Sequence, residues 1–133
     1  MRSGEPEAAL PYFSRRVQLD PLSPNTHMAN SWLGYAYLLL GRVDEAIDRY
    51  YQARAAEPRS GIYHIILAAA LGYKGEIDEA RASLAEGLDL TPKFNSVTSV
   101  RNDPFFKVGN NRYHELWENK GAVGLRRAGL PEA

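Results

Sequence analysis

The stretches GRVDEA at residues 41–46 and GEIDEA at residues 75–80 share four identities and lie 34 residues apart. Other positions keep this separation: Leu33 with Leu67, Gly34 with Ala68, Tyr37 with Leu71, Tyr50 with Leu84, Ala53 with Gly87, and Pro24 with Pro58 and Pro92. A fixed period of roughly 20–50 residues is typical of proteins built from stacked supersecondary units. The sequence therefore predicts a repeat array.

Each unit is expected to contain two helices. In the first full unit, nearly continuous apolar residues from Ser31 to Leu40 indicate a helix that is buried on most sides. Gly41 is expected to end this helix, because glycine accepts the left-handed conformation of a helix end. Asp44 and Glu45 then begin a second, amphipathic helix, and Pro58 closes it. The second unit repeats this order.

The spacing of these residues resembles the tetratricopeptide repeat, a helix-turn-helix unit with the signature W-x2-L-G-x2-Y, then A-x3-F, then P. The matching residues of the first full unit are Asn30, Leu33, Gly34, Tyr37, Ala46, Tyr50 and Pro58. Asn30 occupies the position of the signature tryptophan, and a tryptophan, Trp32, lies two residues later. The resemblance implies an all-α, right-handed α-solenoid of antiparallel helix pairs, with about seven helices and a function in binding.

The periodicity predicts one domain over residues 1–133. It comprises a partial repeat at 7–24, full repeats at 27–60 and 61–94, and a C-terminal capping region at 95–133. The first helix is expected to begin near Glu7 and to be irregular around Pro11. After the turn at 102–104, an aperiodic apolar cluster follows: Phe105, Phe106, Val108, Tyr113, Leu116 and Trp117. A last helix, from about Asn111 to Arg127, is expected to cap the array.

The end of the chain carries a second resemblance. Residues 124–132, GLRRAGLPE, are similar to the C-terminus of bacterial class III adenylate/guanylate cyclases that carry tetratricopeptide arrays. The resemblance implies that this chain is the regulatory C-terminal part of a cyclase-like signalling protein, with a catalytic domain of the same polypeptide as its partner. The alternatives are a self-association module that drives dimer formation and a free-standing adaptor.

Composition argues against several other classes of protein. Sixteen basic and sixteen acidic residues leave no net charge, so no positive electrostatic potential of the whole chain favours nucleic-acid binding. There is no cysteine, and the N-terminus lacks the apolar core of a signal peptide. The longest apolar run, 32–40, is about half the length of a membrane span. We therefore expect a cytoplasmic protein without membrane insertion.

No catalytic, cofactor-binding or metal site is predicted. His27, His64 and His114 lie too far apart in sequence to share the helical spacing of a zinc site. Asp44 and Asp78 recur because helices begin there, and no glycine-rich phosphate loop occurs. The chain is therefore expected not to be an enzyme.

The remaining candidate is a groove lined by the first helix of each unit. Its predicted residues are Met28, Ser31, Trp32, Tyr35, Leu39, Ile62, Ile65, Ala69 and Tyr73. Because this set is apolar and aromatic, it would suit an apolar segment of a protein or peptide, a neighbouring domain, or a second copy of the chain in a homodimer. Trp32, Tyr35 and Tyr73 would be the natural anchors.

Overall fold

A computed structural model describes residues 5–23, 25–107 and 111–133. The N-terminal residues 1–4, Pro24 of the repeat register and Val108 of the apolar cluster lie outside the described residues. Within these ranges the regular structure is entirely helical, as predicted for an all-α solenoid. Two 3-10 turns, Pro6–Ala8 and Pro92–Phe94, accompany the α-helices.

Nine α-helices occur in the described ranges. In chain order they are α1 (Ala9–Leu19), α2 (Thr26–Leu39), α3 (Val43–Ala56), α4 (Gly61–Lys74), α5 (Ile77–Leu90), α6 (Val97–Arg101), α7 (Pro104–Lys107), α8 (Asn111–Asn119) and α9 (Gly121–Arg127). Helices α2 and α3 form one antiparallel pair, and α4 and α5 form the next. The division of the chain into repeats with the predicted boundaries stays a prediction.

The turns inside both pairs form for the reason that the sequence indicated. Gly41 and Gly75 adopt φ angles of 81° and 99°, in the left-handed region that favours glycine. The amide nitrogen of Arg42 donates to the Tyr37 carbonyl at 2.9 Å, and that of Glu76 donates to the Leu71 carbonyl at 2.9 Å. These bonds satisfy carbonyl groups at the ends of α2 and α4.

Small residues allow the paired helices to cross closely. Ala46, Ala68 and Ala80 are completely buried. A Cβ atom at Gly34 would lie 2.6 Å from the ring of Tyr50 and 3.3 Å from the Ala46 carbonyl oxygen. Any side chain at this position would therefore push α2 away from α3.

The C-terminal region differs from the predicted single helix over 111–127. It contains two helices, α8 and α9, which are separated at Lys120. This break is one reason why the described residues form nine α-helices and not the predicted seven or so. A Cβ atom at Gly121 would lie 2.0 Å from the Trp117 ring, so the ring can fold over the start of α9 only because glycine is there. Helix α7 begins at Pro104, within the stretch predicted as a turn, and the Asp103 carboxylate accepts from the Phe105 amide at 3.1 Å.

Candidate binding surface

The structure buries much of the predicted groove. Five of the nine groove residues are in the interior: Ser31, Tyr35, Leu39, Ile65 and Ala69. Three more are half-buried, namely Trp32, Ile62 and Tyr73, and only Met28 is exposed, at 52% of its surface. Most of the predicted groove residues are thus covered in this conformation, and their role in binding a partner stays a prediction.

Aromatic side chains from the C-terminal region cover α2. The Phe105 ring stacks on Trp32 with 4.7 Å between centroids, and it meets Tyr35 edge-on at 5.4 Å. Phe106 contacts Tyr35 at 5.7 Å and Trp117 at 4.5 Å. Burial raises the pKa of the Tyr35 hydroxyl well above its ordinary value. Aromatic side chains of the chain itself therefore cover the face of α2 on which aromatic groups of a partner could otherwise pack.

Helix α9 covers α4 in the same way. A Cβ atom at Gly124 would lie 1.8 Å from the Ala69 carbonyl oxygen, and one at Gly72 would lie 2.1 Å from the Gly124 carbonyl oxygen. The two backbones are therefore in direct contact. At the end of α9, Arg127 Nη1 donates to the Tyr73 carbonyl at 3.0 Å. Sequence reasoning missed this contact, because both glycines lie in helices without any repeat period between them.

The last residues hold this covering segment in place. The carbonyls of Pro131 and Glu132 accept from the amides of Val97 and Thr98, at 2.8 and 3.1 Å, where α6 begins. The Glu132 carboxylate forms two hydrogen bonds with Arg126, at 2.7 and 3.0 Å. These hydrogen bonds and the positive charge of Arg126, together with Arg101 at 3.5 Å, lower the pKa of Glu132 to about 2.

An exposed apolar surface lies at the other end of the array. Among the described residues, five large hydrophobic side chains are exposed, and four of them fall between positions 12 and 28: Tyr12 at 53%, Leu19 at 73%, Leu22 at 93% and Met28 at 52%. We call Tyr12, Arg16, Leu19 and Met28 the N-terminal patch. Contiguous exposed apolar surface of this kind marks interaction sites in proteins.

Two adjoining depressions run along the N-terminal patch, between α1 and α2. One, of about 340 Å³, is lined by Tyr12 and Met28, and the other, of about 250 Å³, is lined by Leu19. Both share Arg16, together with Asn25 and Ala29 of the α2 end. The patch therefore has a concave shape with a guanidinium group at its middle.

Arg16 has little to neutralise its charge. Its Nη1 donates to Tyr12 Oη at 3.4 Å, and its guanidinium carbon lies 5.8 Å from the Tyr12 ring centroid. No carboxylate of the described residues forms a salt bridge with it. By contrast, Arg42, Arg101 and Arg126 each pair with a glutamate. Arg16 thus presents an exposed guanidinium group between the apolar side chains of Tyr12 and Leu19, in a depression that is also lined by Asp20.

Two of the three histidines have structural partners. His27 Nδ1 lies 2.7 Å from Tyr63 Oη, and His64 Nε2 lies 2.9 Å from the Pro58 carbonyl oxygen. Burial raises the pKa of Tyr63 to about 12. The described residues contain no group of three metal-ligating side chains, and none of their helices is long and apolar enough to cross a bilayer.

The fold defines a helical repeat protein, an architecture that is typically non-catalytic. Residues 1–61 match the family model of the tetratricopeptide repeat, which supports a tetratricopeptide repeat domain; the match covers α1, α2 and α3 and ends where α4 begins. No curated protein matches the chain. Repeats of this family generally mediate protein–protein interaction.

Proposed function

We propose that this chain is a protein-interaction and scaffolding module without enzymatic activity, and that it binds its partner through the N-terminal patch. The observation that carries the proposal is the concentration of exposed apolar side chains around Arg16, on an array whose α2 and α4 are covered by its own C-terminal region. Arginine beside aromatic and apolar residues is a frequent composition of interface centres.

The partner is a protein or peptide, or a catalytic domain of the same polypeptide. We further propose that the chain is the cytoplasmic, regulatory C-terminal part of a bacterial nucleotide cyclase-like signalling protein. The support for this is the ending GLRRAGLPE at residues 124–132. Part of that ending forms α9 and the Glu132 contacts, which gives it a structural role in covering α4.

The predicted groove contributes to the proposed surface through its exposed end. Met28 belongs to the N-terminal patch, and Trp32 lies beside it in the same depression. Tyr35 and Ala69 would become available to a partner only after the segment from α7 to α9 had moved away. Ser31 and Ile65 are buried inside the helix pairs, against Tyr50 of α3 and Gly87 of α5. We propose that binding uses the open end and leaves the covered part intact.

A homodimer through the same patch is the second candidate. It is favoured by the exposed apolar side chains of Leu19 and Met28, which two copies could bury against each other. Light scattering separates the two candidates. A stable dimer that Leu19→Asp converts to a monomer would identify a self-association module.

The proposed function is tested by photo-crosslinking in the source cells. A photoreactive phenylalanine analogue replaces Leu19, and in a control chain it replaces Ala85, which is exposed on α5. Immunoblotting with an antibody to the chain reports the mass before and after irradiation, and mass spectrometry identifies the crosslinked peptide. The expected result is a new adduct with a different polypeptide, formed from position 19 and not from position 85.

The same blot tests the cyclase proposal. Before irradiation we expect a band several times heavier than 14.9 kDa, because the repeats would be one part of a longer polypeptide. A band at the mass of this chain alone would overturn that proposal and would favour a free-standing adaptor. Equal labelling from positions 19 and 85 would overturn the role of the patch.

A further inference from the structure

A separate depression lies in the C-terminal region and shares no residue with the N-terminal patch. Its volume is about 230 Å³, and it lies between the end of α6, α7 and α8. Phe106 and Trp117 are buried and form its aromatic floor, whereas Asn102 and His114 are exposed at its rim. The six lining residues are Arg101, Asn102, Phe106, His114, Trp117 and Glu118.

The floor of this depression is held in place by packing on the repeat array. His114, Trp117 and Glu118 are three and four residues apart, so they share one face of α8. Phe106 of α7 packs against Trp117, with 4.5 Å between the ring centroids. The same two rings contact Tyr35 of α2, at 5.7 and 6.0 Å. The aromatic floor is therefore formed before any ligand arrives.

The charged residues of the depression neutralise each other. Arg101 Nε lies 2.5 Å from Glu118 Oε1, and Arg101 Nη2 donates to Glu118 Oε2 at 3.2 Å. Arg101 Nη2 also lies 3.5 Å from the Glu132 carboxylate. An anionic ligand would have to compete with two carboxylates for this guanidinium group, and a cationic ligand would have to compete with the guanidinium group for Glu118. The charges therefore favour a neutral ligand.

The indole nitrogen of Trp117 is a buried donor that no described residue accepts from. Indole can only donate, and leaving a buried donor unpaired is unfavourable. A Cβ atom at Gly121 would lie 2.1 Å from Cε3 and 2.0 Å from Cζ3 of Trp117, so this edge of the ring faces the start of α9. The opposite edge, which carries Nε1, faces away from α9, and the lining residues of the depression all fall within positions 101–118.

The volume of the depression limits the size of a ligand. An apolar cavity of about 150 Å³ holds a benzene molecule, so about 230 Å³ fits a molecule of roughly two fused six-membered rings. Flat aromatic rings would pack on Phe106 and Trp117 in offset or edge-on contact. Binding sites for small molecules commonly combine such apolar walls with a small number of polar groups.

We propose that this depression binds a small, neutral, flat aromatic molecule whose hydrogen-bond acceptor pairs with Trp117 Nε1. Because Nε1 is buried, the exposed side chain of Asn102 or His114 turns outward to let the acceptor reach it. The site goes beyond the proposed interaction function, and either proposal can fail without the other. Since Phe106 and Trp117 contact Tyr35, a bound ligand also stabilises the covering of α2.

Quinoline and naphthalene are matched probes for this site, because both consist of two fused rings and only quinoline has a ring nitrogen that accepts a hydrogen bond. Each is titrated into the isotope-labelled full chain and followed by proton–nitrogen correlation NMR. The chain has two tryptophans, so Trp32→Phe assigns the indole resonance of Trp117. We expect both compounds to perturb the amides of Asn102, His114 and Glu118 saturably. Only quinoline should move the Trp117 indole proton downfield.

Two matched substitutions separate the hydrogen bond from ring packing. Trp117→Phe keeps an aromatic ring and removes the donor, whereas Trp32→Phe makes the same change at a tryptophan outside the depression. The ratio of the naphthalene Kd to the quinoline Kd should fall about fivefold in Trp117→Phe and stay unchanged in Trp32→Phe, because one hydrogen bond contributes about this factor. If circular dichroism shows that Trp117→Phe does not fold, the downfield shift in the unaltered chain decides.

The inference fails if quinoline causes no saturable perturbation, or if both compounds move the Trp117 indole resonance equally. It also fails if a folded Trp117→Phe variant keeps the Kd ratio of the unaltered chain. Perturbation centred on the amides of Tyr12 and Met28 would place the ligand at the N-terminal patch and would equally reject this site.

Discussion

The contact between α9 and α4 can be broken by a single methyl group at Gly124. A Cβ atom there would lie 1.8 Å from the Ala69 carbonyl oxygen and 2.9 Å from the Tyr73 amide nitrogen. Ordinary van der Waals contact begins at 3.4 Å, so the helices would have to separate by roughly 1.6 Å. No flexible side chain can absorb this change, since the opposing atoms belong to the backbone of α4.

We expect Gly124→Ala to lower the free energy of unfolding by about 2 kcal/mol. Overpacking of an interior typically costs about 1–3 kcal/mol, and the separation required here places the cost at the upper end. Replacing glycine by alanine within a helix opposes this with a gain of about 1 kcal/mol. Ala85→Gly, at an exposed position of α5, measures the propensity effect without any clash.

Urea denaturation followed by circular dichroism gives the free energy for each variant. Amide hydrogen exchange in α9 gives a local readout, because a displaced helix should exchange faster even where global unfolding changes little. An increase in stability of about 1 kcal/mol, with exchange in α9 unchanged, would refute the close backbone contact.

Two further predictions concern buried and paired groups. Tyr35→Phe should leave the stability measured by thermal melting unchanged or raise it by up to about 1 kcal/mol, because the buried hydroxyl has no hydrogen-bond partner among the described residues. A large loss of stability would show that the hydroxyl forms a hydrogen bond. The pKa of the paired Glu132 carboxylate is lowered to about 2 from an ordinary 4.5. Because of this shift, the ionised carboxylate stabilises the folded chain above pH 4.5, and this stabilisation is lost as the pH falls through 2. The melting temperature of Glu132→Gln should therefore lie below that of the unaltered chain at pH 5 and converge with it near pH 2, whereas a constant difference would exclude this carboxylate as the cause.

The repeat period made α2 to α5 predictable from the sequence. Gly41 and Gly75 recur at the same register because both end a helix in the left-handed conformation, and Ala46 and Ala80 recur because both lie at a helix crossing. Such local requirements repeat whenever the unit repeats. They therefore leave a signal in a single sequence.

The contacts through which the C-terminal region covers α2 and α4 have no comparable signal in the sequence. Gly72 and Gly124 meet across 52 residues, and neither glycine has a positive φ angle or a turn to mark it. Phe105 and Phe106 formed a recognisable apolar cluster, but its partner could not be assigned without a period. For this reason Tyr35 was predicted as an anchor for a partner, and its packing against Phe105 and Phe106 was not predicted.

The exposure of Arg16 in α1 could have been predicted from the sequence. Aligning Ala9 and Phe13 with Ala46 and Tyr50 also aligns Arg16 with Ala53, which places a charged residue where the full unit requires a small one. A charge at the crossing position argues against an ordinary close helix pair. What the alignment could not supply is the shape of the patch, which depends on how α1 and the start of α2 are placed together.

The covered and uncovered surfaces differ in what a partner must displace. A ligand for the face of α2 and α4 must first separate Phe105 from Trp32 and α9 from α4, so its apparent affinity is reduced by the small population of the opened state. A ligand for the N-terminal patch displaces only solvent from Tyr12, Leu19 and Met28, which are already exposed. For equal intrinsic contacts the patch therefore binds more tightly, which favours the end of this array over its groove as the place where a partner docks.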